Sequence, residues 1–265
     1  MRCRGFLGWA APRLHLRAAG FDRVAHQACK RIGKRLRELG LADVAAYQAY
    51  LEGSPDEWRC LDALCRITIS RFYRDRAVFD GLADVVLPTL AQAAVARGER
   101  ELRCWSAGCA SGEEPYSLSV LWLGRVQARF PLLHLHIRAS DADAYLLDRA
   151  RAGQYPSSAL RELPADLREL GFETDGALCR LRPQVADAVE LVREDLRGAR
   201  PIEAFDLILC RNLAFTYFDD SLQREVLARL LERLRPGGGL VIGTRERLPE
   251  GHGLVPWTPA VFRRR

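Results

Sequence analysis

The chain has 265 residues, 48 % of them apolar, with 40 Lys/Arg against 34 Asp/Glu and a formal charge of +6. That is ample material for the core of one large domain, or of a medium domain plus a small one, and it excludes a disordered chain. No uninterrupted apolar run approaches the roughly 20 residues of a membrane-spanning helix. Gly8 and Pro12 break the apolar patch behind Met1-Arg2-Cys3-Arg4, so neither a secretion signal nor a membrane span is expected.

The eight cysteines match no disulfide framework and no zinc pattern, which reads as a reducing, cytoplasmic compartment, and no metal site is expected. The basic excess is local. Residues 1–66 hold 12 Lys/Arg and 7 Asp/Glu, whereas the remaining 199 hold 28 and 27. A positive surface confined to the first quarter favours an acidic partner: nucleic acid, an anionic membrane or an acidic protein segment.

In chain order, residues 21–66 read as helices. Val24, Cys29, Ile32, Leu36 and Leu39 recur near helical spacing, with Lys30, Arg31, Lys34, Arg35 and Arg37 between them and Gly40 as C-cap. A second helix runs from about Asp43 to Leu51 and a third from about Pro55 to Cys65. Residues 67–70 alternate like a strand. From residue 101 strands alternate with helices. The strands are expected at Leu102–Ser106, Leu133–Ala139, Val189–Arg193, Phe205–Cys210 and Leu240–Gly243, and the helices at Glu114–Arg129, Asp143–Ala152 and Ser221–Leu234. This rhythm predicts an α/β domain with an open, mostly parallel sheet covered by helices on both faces. Residues 153–188 interrupt it, with a hairpin expected around Pro183 and hence a small inserted subdomain.

The first strand leads into Gly108-Cys109-Ala110-Ser111-Gly112-Glu113-Glu114. Two glycines four apart let the backbone approach a ligand, but two carboxylates at the helix start would repel a pyrophosphate. They suit a cationic or hydroxyl-bearing ligand, or they simply complement the helix dipole. Asp141 ends the second strand, where doubly wound folds grip ribose hydroxyls, and Asp143 reads equally well as an N-cap. Asp195 follows the third strand as an acceptor for an adenine amino group or as a solvated loop residue. Arg211-Asn212 closes the fourth, at the ligand end of an open sheet or in a polar turn. Several acceptors without a phosphate loop point to a nucleoside carrying no phosphate, and S-adenosylmethionine fits.

These segments resemble one family. Thr68-x-Ser70-x-Phe72-Tyr73-Arg74, Trp105-Ser106-Ala107-Gly108-Cys109-x-Ser111-Gly112-Glu113-Glu114-Pro115-Tyr116-Ser117, Ser140-Asp141-x-Asp143 and Phe205–Asn212 are similar, in order, to the CheR-type methyltransferases. Those enzymes methylate glutamate side chains of bacterial chemoreceptors. The resemblance implies a Rossmann-like methyltransferase domain over residues 71–265, with an antiparallel β insertion at about 153–190, behind a small all-α domain over residues 1–70. It implies S-adenosylmethionine as cofactor, held by Thr68, Ser70, Arg74, Gly108, Glu114, Asp141, Asp195, Leu196, Asn212 and Leu213, with Arg74 and Tyr217 catalytic. It implies an acidic protein partner, such as a chemoreceptor methylation helix, met by Lys30, Lys34, Arg35 and Arg37. A monomer is expected, and nucleic acid is not the expected partner.

The chain also departs from the family pattern. Thr68 stands for Asn, Ser70 for Thr, Asp195 for Asn, and Tyr217 lies five residues beyond Asn212 rather than four. Such changes mark a divergent member. The alternatives are a methyltransferase acting on nucleic acid or a small molecule, and a non-catalytic module that binds the cofactor.

Overall fold

The structure, a computed structural model, describes residues 3–265. The chain separates into two compact units. One comprises the residues up to Ile69 with Leu213–Arg224, and the other comprises Ser70–Asn212 with Glu225–Arg265.

The first unit is helical: α1 (Cys3–Ala10), α2 (Ala25–Glu38), α3 (Val44–Glu52) and α4 (Pro55–Cys65), with the returning turn α11 (Ala214–Tyr217). Helix α2 buries Ala25, Ala28 and Ile32 on one stripe and stops before Gly40, whose φ of +68° suits glycine. Asp43 caps α3 by accepting from the backbone N–H groups of Ala45 and Ala46. Helix α4 opens on Pro55, followed by Asp56 and Glu57 in its first turn. Glu57 is buried, accepts from Arg35 Nε and Nη2 at 2.9 and 2.7 Å, and accepts from the Tyr47 hydroxyl at 2.7 Å. The Arg35 hydrogen bonds hold the Glu57 carboxyl below its ordinary range, and burial pushes Tyr47 up. Arg35 is therefore committed inside this unit and does not belong to an open basic face. Lys30, Arg31, Lys34 and Arg37 remain exposed.

The expectation of eight free thiols is corrected at one place. Cys3 and Cys29 are disulfide-bonded, tying α1 to α2 with Cα atoms 5.9 Å apart. They are 26 residues apart, and only the packing of the two helices brings them together. The segment containing α11 is held to the N-terminal residues. Arg17 N–H donates to the Tyr217 carbonyl at 2.8 Å and Arg17 Nε to the Thr216 carbonyl at 2.8 Å. A Cβ on Gly20 would lie 2.6 Å from the Thr216 oxygen, so only glycine fits there.

The second unit begins with α5 (Arg76–Gly81), a π turn and α6 (Leu87–Ala96), which form one helix from Arg76 to Ala96. That helix is long and apolar enough to cross a membrane by length and composition. Its Val78, Phe79, Leu82, Val86, Leu87, Leu90, Ala91 and Ala94 are buried in the core of this unit. The strands and helices then run β1 (Glu101–Ala107), α7 (Glu113–Leu121), β2 (His134–Asp141) and α8 (Ala144–Ala152). There follow β3 (Gln154–Pro156), α9 (Ala165–Gly171), β4 (Phe172–Asp175), β5 (Leu178–Leu181), α10 (Pro183–Ala186) and β6 (Val189–Arg193). The chain closes with β7 (Phe205–Leu209), α12 (Asp220–Arg233), β8 (Leu234–Val241), β9 (Val255–Thr258) and β10 (Val261–Arg263).

Seven strands form one sheet in the order β6-β2-β1-β7-β8-β10-β9, parallel from β6 to β8 and antiparallel at the β10 and β9 edge. The alternation of strand and helix from residue 101 predicts this parallel sheet. The two last strands escape it because they are short and follow a loop without helical pattern. The order reverses between β1 and β7: the chain steps from β1 to β2 to β6 on one side and from β7 to β8 on the other. Such a reversal opens a crevice at the carboxyl ends of the strands.

The inserted segment forms a separate antiparallel sheet, β3-β5-β4. Its hairpin turns at Gly176, φ +57°, and not around Pro183. Pro183 instead opens α10, because its missing N–H costs nothing at the first position of a helix. Residues 67–70 lie outside both sheets despite their alternation. Phe72 and Tyr73 are core residues. The Phe72 ring packs edge-on against Tyr155 and Phe172, and Tyr73 stacks on Phe79.

Candidate functional site

Four loops meet the carboxyl ends of four neighbouring parallel strands, β6, β2, β1 and β7. The loop after β1 is folded onto β2: Gly108 N–H and Cys109 N–H both donate to the Ser140 carbonyl, at 2.8 and 2.9 Å. Gly108 and Gly112 have φ of +88° and +91°. A Cβ on Gly112 would sit 2.5 Å from the Tyr116 ring, so the turn into α7 tolerates no side chain there. Ala110 takes a left-handed φ of +52°, steadied by its N–H donating to Asp141 Oδ2 at 2.9 Å. Asp141 Oδ1 accepts from the Asp143 N–H, and the Asp141 carbonyl accepts from the Glu194 N–H. Asp141 thus binds together the loops after β1, β2 and β6. Asp143 is the N-cap of α8, accepting from Tyr145 N–H at 2.9 Å.

At the start of α7 the two glutamates part company. Glu113 is buried and accepts from the Ser111 hydroxyl at 2.8 Å. Glu114 accepts from the Ser106 hydroxyl at 2.7 Å and from Arg211 Nη1 at 3.2 Å. Burial raises its pKa, while the Arg211 charge and the Ser106 hydrogen bond pull it down. The Arg211 side chain is 3 % exposed and lies 5.3 Å from the centre of the Phe79 ring. Its Nη2 donates to Asp75 Oδ2 and to the Arg74 carbonyl, both at 2.8 Å. Asp75 stands at the N-cap of α5 with φ +62°, yet its carboxylate makes no cap bond and goes to Arg211 instead. Tyr73, at φ +57°, is fixed by its N–H donating to the Ser117 hydroxyl at 2.8 Å. A left-handed non-glycine residue costs of order 1–3 kcal/mol and clusters where function over-determines the backbone. Three such residues, Asp75, Ala110 and Asn212, are hydrogen-bonded to Arg211, Asp141 and Glu246 in the loops of this crevice.

Asn212 follows β7 at φ +57°, its N–H donating to Glu246 Oε2 at 2.8 Å. Glu246 Oε2 also accepts from the Gly243 N–H at 2.6 Å. A Cβ on Gly243 would fall 2.4 Å from Asn212 Nδ2, so glycine is required for the Asn212 amide to lie there. Asp195, after β6, is gripped by Arg197, whose Nη2 donates to Oδ2 at 2.7 Å and whose N–H donates to Oδ1 at 3.0 Å. Leu196 beside it is buried.

Of the residues singled out in the sequence, Gly108, Glu114, Asp141, Asp195 and Asn212 stand at the carboxyl ends of adjacent strands. Arg74 is tied in through its carbonyl to Arg211, and Ser70 is half-buried four residues earlier. Thr68, Leu213 and Tyr217 belong to the helical unit. There Thr68 is exposed, and the Tyr217 ring lies 5.6 Å from Phe21. The sequence places Arg211 at the ligand end of its strand but names no partner for it, and it assigns no role to Asp75, Glu246 or Arg197. A carboxylate partner for Arg211 is within reach, since a cation ending an apolar strand needs carboxylates to be buried. Asp206, in the same motif, lies at the opposite end of β7. It is buried there between Arg97 and Arg235 and accepts from the Arg103 N–H.

A family described as CheR methyltransferase, SAM binding domain, matches residues 68–259. The chain is 36 % identical over 195 residues to a chemotaxis protein methyltransferase of Listeria monocytogenes, covering 73 % of this chain and 71 % of that one. It is 33 % identical over 231 residues to chemotaxis protein methyltransferase 2 of Pseudomonas aeruginosa (85 % and 79 % covered). It is 32 % identical over 236 residues to the chemotaxis protein methyltransferase of Escherichia coli (85 % and 77 % covered).

The residues present fit S-adenosylmethionine. Carboxylates accept from its hydroxyl and ammonium donors, and the glycine turn leaves the backbone bare for close approach. The chain belongs to the CheR methyltransferase family, with S-adenosylmethionine as its cofactor.

Proposed function

We propose that the protein transfers the methyl group of S-adenosylmethionine to a glutamate carboxylate on an acidic segment of a chemotaxis signalling protein. The single observation supporting this most directly is the acceptor set at the strand ends: Glu114 paired with Arg211, and Asp141 ordered by the loops around it. The names of the relatives supply the chemotaxis context.

The cofactor supplies an electrophilic methyl carbon on a positive sulfur. A glutamate acceptor has an ordinary pKa of about 4.3, so it arrives ionised and needs no general base. What remains for the protein is to bind, align and exclude water. Holding two reactants in line is worth about 7–11 kcal/mol in favourable cases. Asp141 would hold the ribose hydroxyls, Glu114 the ammonium end and Asp195 the adenine amino group. Ser70, Leu196 and Asn212 would complete the contacts in the sheet unit. Arg74 orients the acceptor carboxylate. The exposed Lys30, Lys34 and Arg37 of α2 offer positive charge to the acidic segment.

Methyl-labelled cofactor incubated with the protein and a lysate of its source cells tests this reading. It expects label on protein that mild alkali releases, as from a carboxyl ester. Label that resists alkali, or that resides on nucleic acid, overturns it.

A further inference from the structure

We propose that Arg211 is a positioning residue for cofactor capture: by donating to Glu114, Asp75 and the Arg74 carbonyl, it keeps the Glu114 carboxylate charged and in place as the acceptor. The proposal rests on the reading of Glu114 as a cofactor contact. The geometry is that of one buried cation shared by two carboxylates drawn from distant parts of the chain, 3.2 Å to Glu114 and 2.8 Å to Asp75. Asp75 gives up its cap and takes a left-handed backbone at this spot, and Arg211 is what its carboxylate gains in exchange.

Around Glu114 stand Ser106 of β1, Cys109 of the glycine loop, its neighbour Glu113 on α7, Arg211 after β7 and Glu246 after β8. Two of these are acids, and Glu246 repels a charge on Glu114. Among the described residues, Arg211 is the cation in direct contact with Glu114. Without it, burial and the neighbouring acids both favour the protonated form, which has lost an acceptor.

Two measurements on the full chain test this. The first is the equilibrium affinity for S-adenosylmethionine across pH, taken as a ratio to wild type so that the ligand's own titration cancels. Arg211→Gln moves the pH below which affinity falls upward, the direction expected of removing a neighbouring cation. Arg211→Lys restores most of the wild-type profile, and Glu114→Gln together with Arg211→Gln removes the additional pH dependence. The second is the titration of the Glu114 side-chain carboxyl carbon by NMR without ligand, in which Arg211→Gln raises the midpoint. A deficit that is constant across pH, with an unmoved carboxyl midpoint, overturns the proposal. Wild-type affinity in Glu114→Gln overturns the reading of Glu114 as a cofactor contact, while the carboxyl midpoint still decides the coupling to Arg211. If Arg211→Gln does not fold, Asp75→Asn carries the test: it leaves the Arg211 charge to Glu114 alone and lowers the Glu114 midpoint, and an unmoved midpoint in that variant overturns the proposal.

Discussion

Glu246 accepts from the backbone N–H of Asn212 at 2.8 Å, and through this one bond the loop after β8 sets the left-handed turn that ends β7. The same carboxylate oxygen accepts from Gly243 N–H, so two loops at the crevice hang on one side chain. Truncating it strands two N–H donors, each costing about 1–3 kcal/mol where water cannot replace the acceptor. Glu246→Ala is expected to lower stability by roughly that amount in urea denaturation and to weaken cofactor binding. Glu246→Gln keeps an acceptor and loses less of both.

Asp206 is expected to matter for stability alone. It is buried at the start of β7, 2.5 Å from Arg97 Nη2 and 3.0 Å from the Arg103 N–H. Removing one partner of a buried ion pair costs about 3–5 kcal/mol. Asp206→Ala should shift the denaturation midpoint by that free energy. Calorimetry on the fraction that still folds should give wild-type affinity for S-adenosylmethionine, because Asp206 stands at the far end of the strand from Asn212.

In the helical unit the Arg35 and Tyr47 hydrogen bonds hold the Glu57 pKa down in the folded chain. The unfolded state therefore binds the proton first. Stability from this group is fully present above the ordinary carboxylate pKa of about 4.3 and drains away as pH falls through the lower folded value. Glu57→Gln removes that slope. Comparing denaturation midpoints of the two proteins from neutral pH down to about pH 3 reads it directly, with the gap narrowing as pH falls.

The amphipathic and alternating patterns made much of this architecture legible. Pro55 and Asp43 mark helix starts, and the apolar run from Phe205 marks a buried parallel strand. The places of Asp141 at a strand end and of Glu114 at the start of the following helix are legible for a related reason: both follow from where the apolar strands stop. What escaped depends on distant parts of the chain. The Cys3–Cys29 bond, the return of Leu213–Arg224 to the helical unit and the joining of Asp75 to Arg211 across 136 residues leave no periodicity behind. Arg35 looked like surface charge because its partner Glu57 lies 22 residues away. Pro183 suggests a hairpin because proline marks both turns and helix starts, and only the sheet register distinguishes them.

Gly112 tests the loop itself. Any side chain there meets the Tyr116 ring and must adopt a φ of +91°. Gly112→Ala is expected to displace Tyr116, whose hydroxyl donates to the Ala150 carbonyl, and to weaken cofactor binding at least tenfold, about 1.4 kcal/mol, in equilibrium dialysis. Gly176→Ala, at a positive φ in the inserted hairpin with open space around it, should leave that affinity unchanged.

The central claim is that the crevice above β6, β2, β1 and β7 takes up S-adenosylmethionine through its carboxylates, and calorimetric titration of the cofactor into wild type and Asp141→Asn tests it most directly. The substitution keeps the size of the side chain and removes the charge proposed to strengthen hydrogen bonds to the ribose. The account predicts a loss of about 1–3 kcal/mol in binding free energy with the fold intact. Equal affinity in the two proteins, or no binding to wild type, would contradict it.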